Sequence, residues 1–221
     1  MNVSRLCVLA GLLSSFAIKG DRFSSDTIPI KKLPGFNKYF VSEKEFSYVD
    51  KNEETWTAPT NTVTDGASIP PYCYSIVGQP FDPQFLGAAL IHDAYTARAN
   101  RDGASYHQGT WQRANEVFYE ACLKGGTPAW KAKVMYYAVM VGLPDKWVPA
   151  SDNKGVKKEK QLIRALNVMR VDTTLQKAQL EEVKRFVLAE NPSLEMLDSI
   201  AVKAADNLKH KQVLRLETSK P

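Results

Sequence analysis

Between residues 82 and 142 apolar positions recur three times at three- and four-residue spacing, and each run predicts a helix. The first carries Phe85, Leu86, Ala89 and Leu90 on one face. Asp82 stands at its N-cap and Pro83 at its first helical position, and the pattern fades at Ala99-Asn100. The second starts near Gly109 or Thr110, buries Ala114, Val117, Phe118 and Ala121, and stops at Gly125-Gly126. The third follows Thr127 as cap with Pro128 behind it, buries Trp130, Val134, Tyr137, Ala138 and Val141, and ends at Gly142 before Pro144. Upstream the period changes. Phe46-Ser47-Tyr48-Val49 and Thr55-Trp56-Thr57-Ala58 are strand-prone, and the turn Asp50-Lys51-Asn52-Glu53 between them predicts a hairpin. The strand ends run into Thr64-Asp65-Gly66, a turn whose glycine can take positive φ, and then into the stiff extended segment Ile69-Pro70-Pro71. The fold class expected is α+β: a small antiparallel β unit leading into a three-helix core, with an α-helical C-terminal extension.

The remaining segments divide the chain. Residues 1–17 read as a secretory signal, with Arg5 as the positive end, the apolar run Leu6 to Leu13, and Ser15-Phe16-Ala17 placing small residues for a cut after Ala17. A buried N-terminal helix is the other reading of that run, which is too short to span a bilayer comfortably. Residues 18–35 are polar with Pro29 and Pro34, a linker or extended arm. The core is expected over 36–149. From Ser151 to Lys160 the chain is charged and lacks apolar periodicity, so a boundary is placed near 150. Helices are then expected over about 158–170, from a capping box at Thr173-Thr174-Leu175-Gln176 to about Ala189, and from Asn191-Pro192 to near Lys211. Their faces are amphipathic, suited to packing on each other, on the core or on a partner.

Composition narrows the class. Of 221 residues, 44% are hydrophobic and 10% aromatic, which is the make-up of a packed chain and excludes a disordered one. The net charge is +5, and from Asp145 to Pro221 there are 15 Lys and Arg against 11 Asp and Glu. This mild basicity suits an anionic surface such as phospholipid or a cell-envelope component, although a solvated face is the plainer explanation. Zinc-finger spacing, an Arg-rich arm and aromatic-basic interleaving are all missing, so nucleic acid is not an expected partner. A signal peptide implies a periplasmic or secreted protein. Cleavage would remove Cys7 and leave Cys73 and Cys122, as one bridge or as two separate buried thiols.

Candidate chemistry centres on His92 and Asp93. Neighbours on a helix point about 100° apart, so they serve two adjacent tasks and not one relay. With the first two helices antiparallel, Asn115 stands level with His92, where its oxygen can accept the imidazole N–H and fix the tautomer. Asp65, on the turn beside Gly66, can add an oxygen from a third direction. That oxygen-rich set suits a hard divalent cation, calcium before zinc. The expected catalytic residues are therefore His92 and Asn115, and the expected metal ligands Asp93 and Asp65. The plainer readings are a satisfied histidine at the edge of a helical core and a turn-forming aspartate. Ser68 lacks the context of a nucleophile elbow. His107 reads as a surface loop residue and His210 as solvated.

Four motifs in order carry a resemblance: Thr64-Asp65-Gly66-Ala67-Ser68-Ile69-Pro70, His92-Asp93-x-Tyr95, Ala114-Asn115-x-x-Phe118, and Met135-Tyr136-x-Ala138-Val139 with Gly142. Over about residues 36–147 the chain resembles the phage- and bacterium-borne domain-of-unknown-function family numbered thirteen fifty-three. The resemblance implies a fold neighbourhood and a site but no activity. The family usually has Asp at the position of Asn115, and an amide stabilises an imidazolium less well than a carboxylate does. A looser similarity in layout is to the secreted phospholipases A2. These set a His-Asp pair on one helix and an orienting Asp on an antiparallel one, with calcium held by the pair's Asp and a Gly-containing loop. Tyr95 falls one residue short of that family's spacing.

Two functions remain open from sequence. One is an exported, metal-assisted hydrolase of a lipid or cell-envelope ester or related bond. The other is a non-catalytic phage-derived or envelope module that binds a protein partner through residues 151–221.

Overall fold

The structure, a computed structural model, describes residues 20–142 and 177–205. The export signal, the boundary near 150, the helix expected over 158–170, the capping box at Thr173 and His210 lie outside the described residues.

Six short strands come first: β1 (Arg22–Phe23), β2 (Ile30–Lys32), β3 (Phe40–Ser42), β4 (Phe46–Val49), β5 (Thr55–Ala58) and β6 (Val63–Thr64). They form two antiparallel sheets of three, in the orders β1-β4-β5 and β2-β3-β6. The β4–β5 hairpin pairs Phe46 with Ala58 through to Val49 with Thr55, as the alternation predicts. Phe46, Tyr48, Trp56 and Ala58 face inward on it. The segment read as a linker or extended arm supplies β1 and β2, one strand to each sheet. Its polar composition hid one anchor, Phe23, whose ring stacks on Phe46 with centroids 5.4 Å apart and lies 5.2 Å from Tyr48.

Helices follow: the single turn α1 (Tyr74–Val77), then α2 (Pro83–Thr96), α3 (Trp111–Lys124), α4 (Ala129–Gly142), α5 (Lys177–Glu190) and α6, over 194–205. The α+β class with strands before helices is as expected. The Asp82 carboxylate accepts the Gln84 N–H at 3.0 Å, and the Thr110 hydroxyl accepts the Arg113 N–H at 3.2 Å. α2 ends at Thr96, short of the expected 99–100, because Ala97 turns extended (ψ 126°) while its N–H still reaches the Asp93 carbonyl at 3.0 Å. Thr127, expected to cap α4, donates its hydroxyl across to the Gln84 carbonyl at 3.0 Å and so ties the α3–α4 corner to α2.

α2 is the axis of the molecule. Both sheets lie against it on one side and α3 on the other, so its residues are buried almost all round. α4 is buried in the same way between α3 and α5. Leu180, Val187, Leu197 and Ala201 of the last two helices belong to the same apolar core as Phe85 and Leu90. Cys73 and Cys122 are free, buried thiols, which settles the two alternatives left open by sequence. No described helix is long and apolar enough to cross a membrane.

The α5–α6 corner is held by Lys133 of α4, only 9% exposed. Its ammonium donates to the Asn191 side-chain oxygen and the Pro192 carbonyl, both at 2.6 Å, and lies 3.4 Å from the Asn191 carbonyl. It thus caps the carbonyl end of α5 with a cation. Lys133→Met keeps the apolar stem and strands these acceptors. We expect a loss of about 2 kcal/mol in urea unfolding; an unchanged midpoint would mean the corner holds without its cation.

Candidate functional site

The site is built where α2 meets α3 on one side and β6 on the other. Because α2 and α3 run antiparallel, His92 and Asn115 come level, and His92 Nε2 lies 2.8 Å from Asn115 Oδ1. The orientation of that amide is fixed by its other end. Asn115 Nδ2 lies 3.2 Å from Met140 Sδ, and a thioether can only accept, so the nitrogen must face the sulfur and the oxygen the imidazole. His92 Nε2 therefore carries the hydrogen and Nδ1 the lone pair.

Nδ1 faces the Thr96 hydroxyl at 3.3 Å, but that hydroxyl has a better acceptor in the His92 carbonyl at 2.8 Å. The lone pair is thus only weakly engaged. Phe118 covers the ring with centroids 5.0 Å apart. Burial pushes the imidazole down to about 4, outweighing the Asn115 hydrogen bond that acts the other way, so His92 is neutral at pH 7.

Asp93 points away from His92, as helical geometry requires, and meets the end of β6. Its carboxylate accepts from the Thr64 hydroxyl and the Asp65 backbone N–H. The residue is 6% exposed, and Oδ2 is buried with no hydrogen-bond partner among the described residues. Asp65 lies on the turn just beyond. Its Oδ1 accepts the Ser68 hydroxyl at 2.6 Å, and its own N–H and that of Ser68 also face the carboxylate. Burial raises Asp65 to about 6, and Asp93 goes well above the usual carboxylate range through burial and then the charge of Asp65.

The turn between them follows from its residues. Thr64 Oγ1 accepts the Gly66 N–H at 2.9 Å. Gly66 takes φ +77°, and Ala67 N–H reaches the Pro80 carbonyl at 3.0 Å. Ser68, itself at φ +51°, serves as a partner of Asp65.

All four expected site residues lie on this junction, in two sub-sites: His92 with Asn115 on the α3 side, and Asp93 with Asp65 on the β6 side. Three positions escaped sequence reasoning. Thr96 engages both the ring and the carbonyl of His92. Met140 orients Asn115. Asn100, read as the fading end of a helix, accepts the Val63 N–H at 2.7 Å and donates to the carbonyls of Val63 and Asp93, each at 2.8 Å. It clamps β6 to α2 and so sets the spacing of the two carboxylates. His107, read as a surface residue, is half-buried with its ring stacked on Tyr106 at 3.7 Å between centroids.

Residues 40–139 match the family described as "Protein of unknown function (DUF1353)", the family expected from the four motifs. Two proteins of Sinorhizobium fredii (strain NBRC 101917 / NGR234) are similar. Uncharacterized protein y4iH is 38% identical over 107 residues, covering 48% of this chain and 41% of that protein. Uncharacterized protein y4jT is 39% identical over 106 residues, covering 48% of this chain and 29% of that protein. The chain thus spans less than half the length of either relative. No solved structure matches it.

Proposed function

We propose that this chain, whose residues 40–139 belong to the DUF1353 family, is an exported hydrolase in which His92 is general base to a water attacking an ester or related bond. The observation that carries the reading is the thioether-to-amide-to-imidazole series. Met140 fixes Asn115, Asn115 fixes the Nε2–H tautomer, and Nδ1 is left as a weakly engaged base. Such ordering is what a catalytic imidazole needs and what a space-filling one does not. The substrate class proposed is a carboxyl ester of a lipid or of the cell envelope, in keeping with the export signal read at 1–17 and the basic tail.

The test is hydrolysis of short- and long-chain nitrophenyl esters and of phospholipid vesicles by wild type, His92→Ala and Asn115→Leu. His92→Ala is expected to lose about 10³-fold in kcat/KM while keeping its far-UV circular dichroism. Asn115→Leu should lose a large part of that, because the imidazole is then free to take the other tautomer. Unchanged activity in His92→Ala would sink the proposal.

A second reading, a non-catalytic module that binds a protein partner through its C-terminal helices, is favoured by one observation. Leu188, Met196 and Val202 are 56%, 50% and 45% exposed on α5 and α6. In that case wild type turns over none of these esters, and His92→Ala only lowers the melting temperature.

A further inference from the structure

The His92 sub-site leaves one feature of the junction unused. Asp93 buries a carboxylate oxygen without a partner, and the half-buried carboxylate of Asp65 lies close enough for its charge to act on it. Buried polar atoms are paired in folded proteins, and an orphan calls for a missing ion, water or proton. A proton alone answers poorly here. A carboxylic O–H on Oδ2 would itself be a buried donor in need of an acceptor. A cation between the carboxylates satisfies the orphan oxygen and cancels their repulsion together.

We propose that Asp65 and Asp93 hold a hard divalent cation of the calcium or magnesium class at the junction of α2 and β6. The donor set decides the class. Asp65, Asp93 and the Ser68 hydroxyl offer only oxygen. The nitrogen ligand nearest in sequence, His92, is committed to Asn115 on the other side of α2, and the thiols of Cys73 and Cys122 are buried in the apolar core. No cluster of three or more His, Cys, Asp or Glu side chains suited to a metal occurs among the described residues. The remaining positions therefore fall to water, backbone carbonyls or a bound anion. That is the usual arrangement for a cation that keeps part of its hydration shell. Three features pre-form the site: the Asn100 clamp on Val63 and Asp93, the Gly66 turn, and the Ser68 hydrogen bond to Asp65. The charge of Lys38 reaches Asp65, and Lys38 is exposed, free to swing aside as the cation enters.

This site is independent of the role of His92 and holds for an enzyme or a binding module alike. The experiment uses the full chain, stripped with EDTA and then titrated with CaCl2, MgCl2 or ZnCl2 by calorimetry and by thermal unfolding. Wild type is expected to bind about one equivalent of calcium or magnesium and to melt about 5 °C higher at saturating cation. Asp93→Asn and Asp65→Asn are expected to weaken binding at least tenfold, on the order seen when groups of a metal site are removed. A midpoint unmoved by 10 mM calcium and magnesium, a response to zinc alone, or variants that respond like wild type would each overturn the proposal.

Discussion

Gly66→Ala is expected to destabilise the protein by about 4 kcal/mol or more, which for a site outside the apolar core is exceptional. Two costs combine. Gly66 sits at φ +77°, where a side chain is strained. A Cβ built there would also lie 2.3 Å from the Pro80 carbonyl oxygen and 2.7 Å from its carbon. These are backbone atoms, so the clash cannot be relieved by turning a side chain. Either the turn or the segment ahead of α2 must move, and the Ala67 N–H bond to the same carbonyl is lost with it. Gly126→Ala is the control, at φ +92° with nothing within 4 Å of the added atom. It should cost only the conformational part, about 1 kcal/mol. Urea unfolding of the two variants gives the difference. Equal losses would mean that the Pro80 segment yields cheaply and that close approach is not why glycine stands in this turn. Because the turn carries Asp65, Gly66→Ala should also disturb the carboxylate pair without touching His92 and Asn115.

The contrast between those two sub-sites also explains what could be read from the chain in advance. The pairing of His92 with Asn115 follows from two helix starts, a loop length and the 1.5 Å rise per residue, all of them local quantities. The caps Asp82 and Thr110 and the β4–β5 register are legible for the same reason. The β6 side depends on hydrogen bonds between residues tens of positions apart, such as Asn100 to Val63, and no spacing rule announces them. Thr64 reads as a strand end and Ser68 as a failed nucleophile until the turn folds and sets one on Asp93 and the other on Asp65. The strands β1 and β2 were missed because two- and three-residue strands carry no periodicity. They are held by pairing and by the ring of Phe23. Lys133 escaped because a lysine on a helix is exposed unless a chain end of the right geometry closes over it, as the α5–α6 corner does here.

The other large effect expected is at Asp50, which opens the β4–β5 turn and whose side chain is fully buried. Four donors converge on it. Oδ1 accepts the N–H groups of Asn52 and Glu54 at 2.8 and 3.0 Å. Oδ2 accepts Trp56 Nε1 at 3.0 Å and pairs with the Arg113 guanidinium from α3. Asp50→Asn keeps the shape but sets an amide nitrogen against two donors whichever way it is turned, and leaves Arg113 without its buried partner. We expect a loss of about 3–5 kcal/mol at pH 7. Acid supplies the check. Burial on its own would raise the Asp50 carboxyl, but the hydrogen bonds from Glu54, Asn52 and Trp56 and the charge of Arg113 prevail and hold it below its ordinary value. A depressed folded value contributes stability that is full above the unfolded carboxylate range, near pH 4, and fades as pH falls through the lower folded value. The gap between wild type and Asp50→Asn, followed by urea unfolding from pH 7 to pH 2, should therefore stay wide down to about pH 4 and close below it. A gap that stays constant to pH 2 would show that the oxygen geometry, and not the charge, holds the hairpin to α3, and Arg113→Met would then cost little.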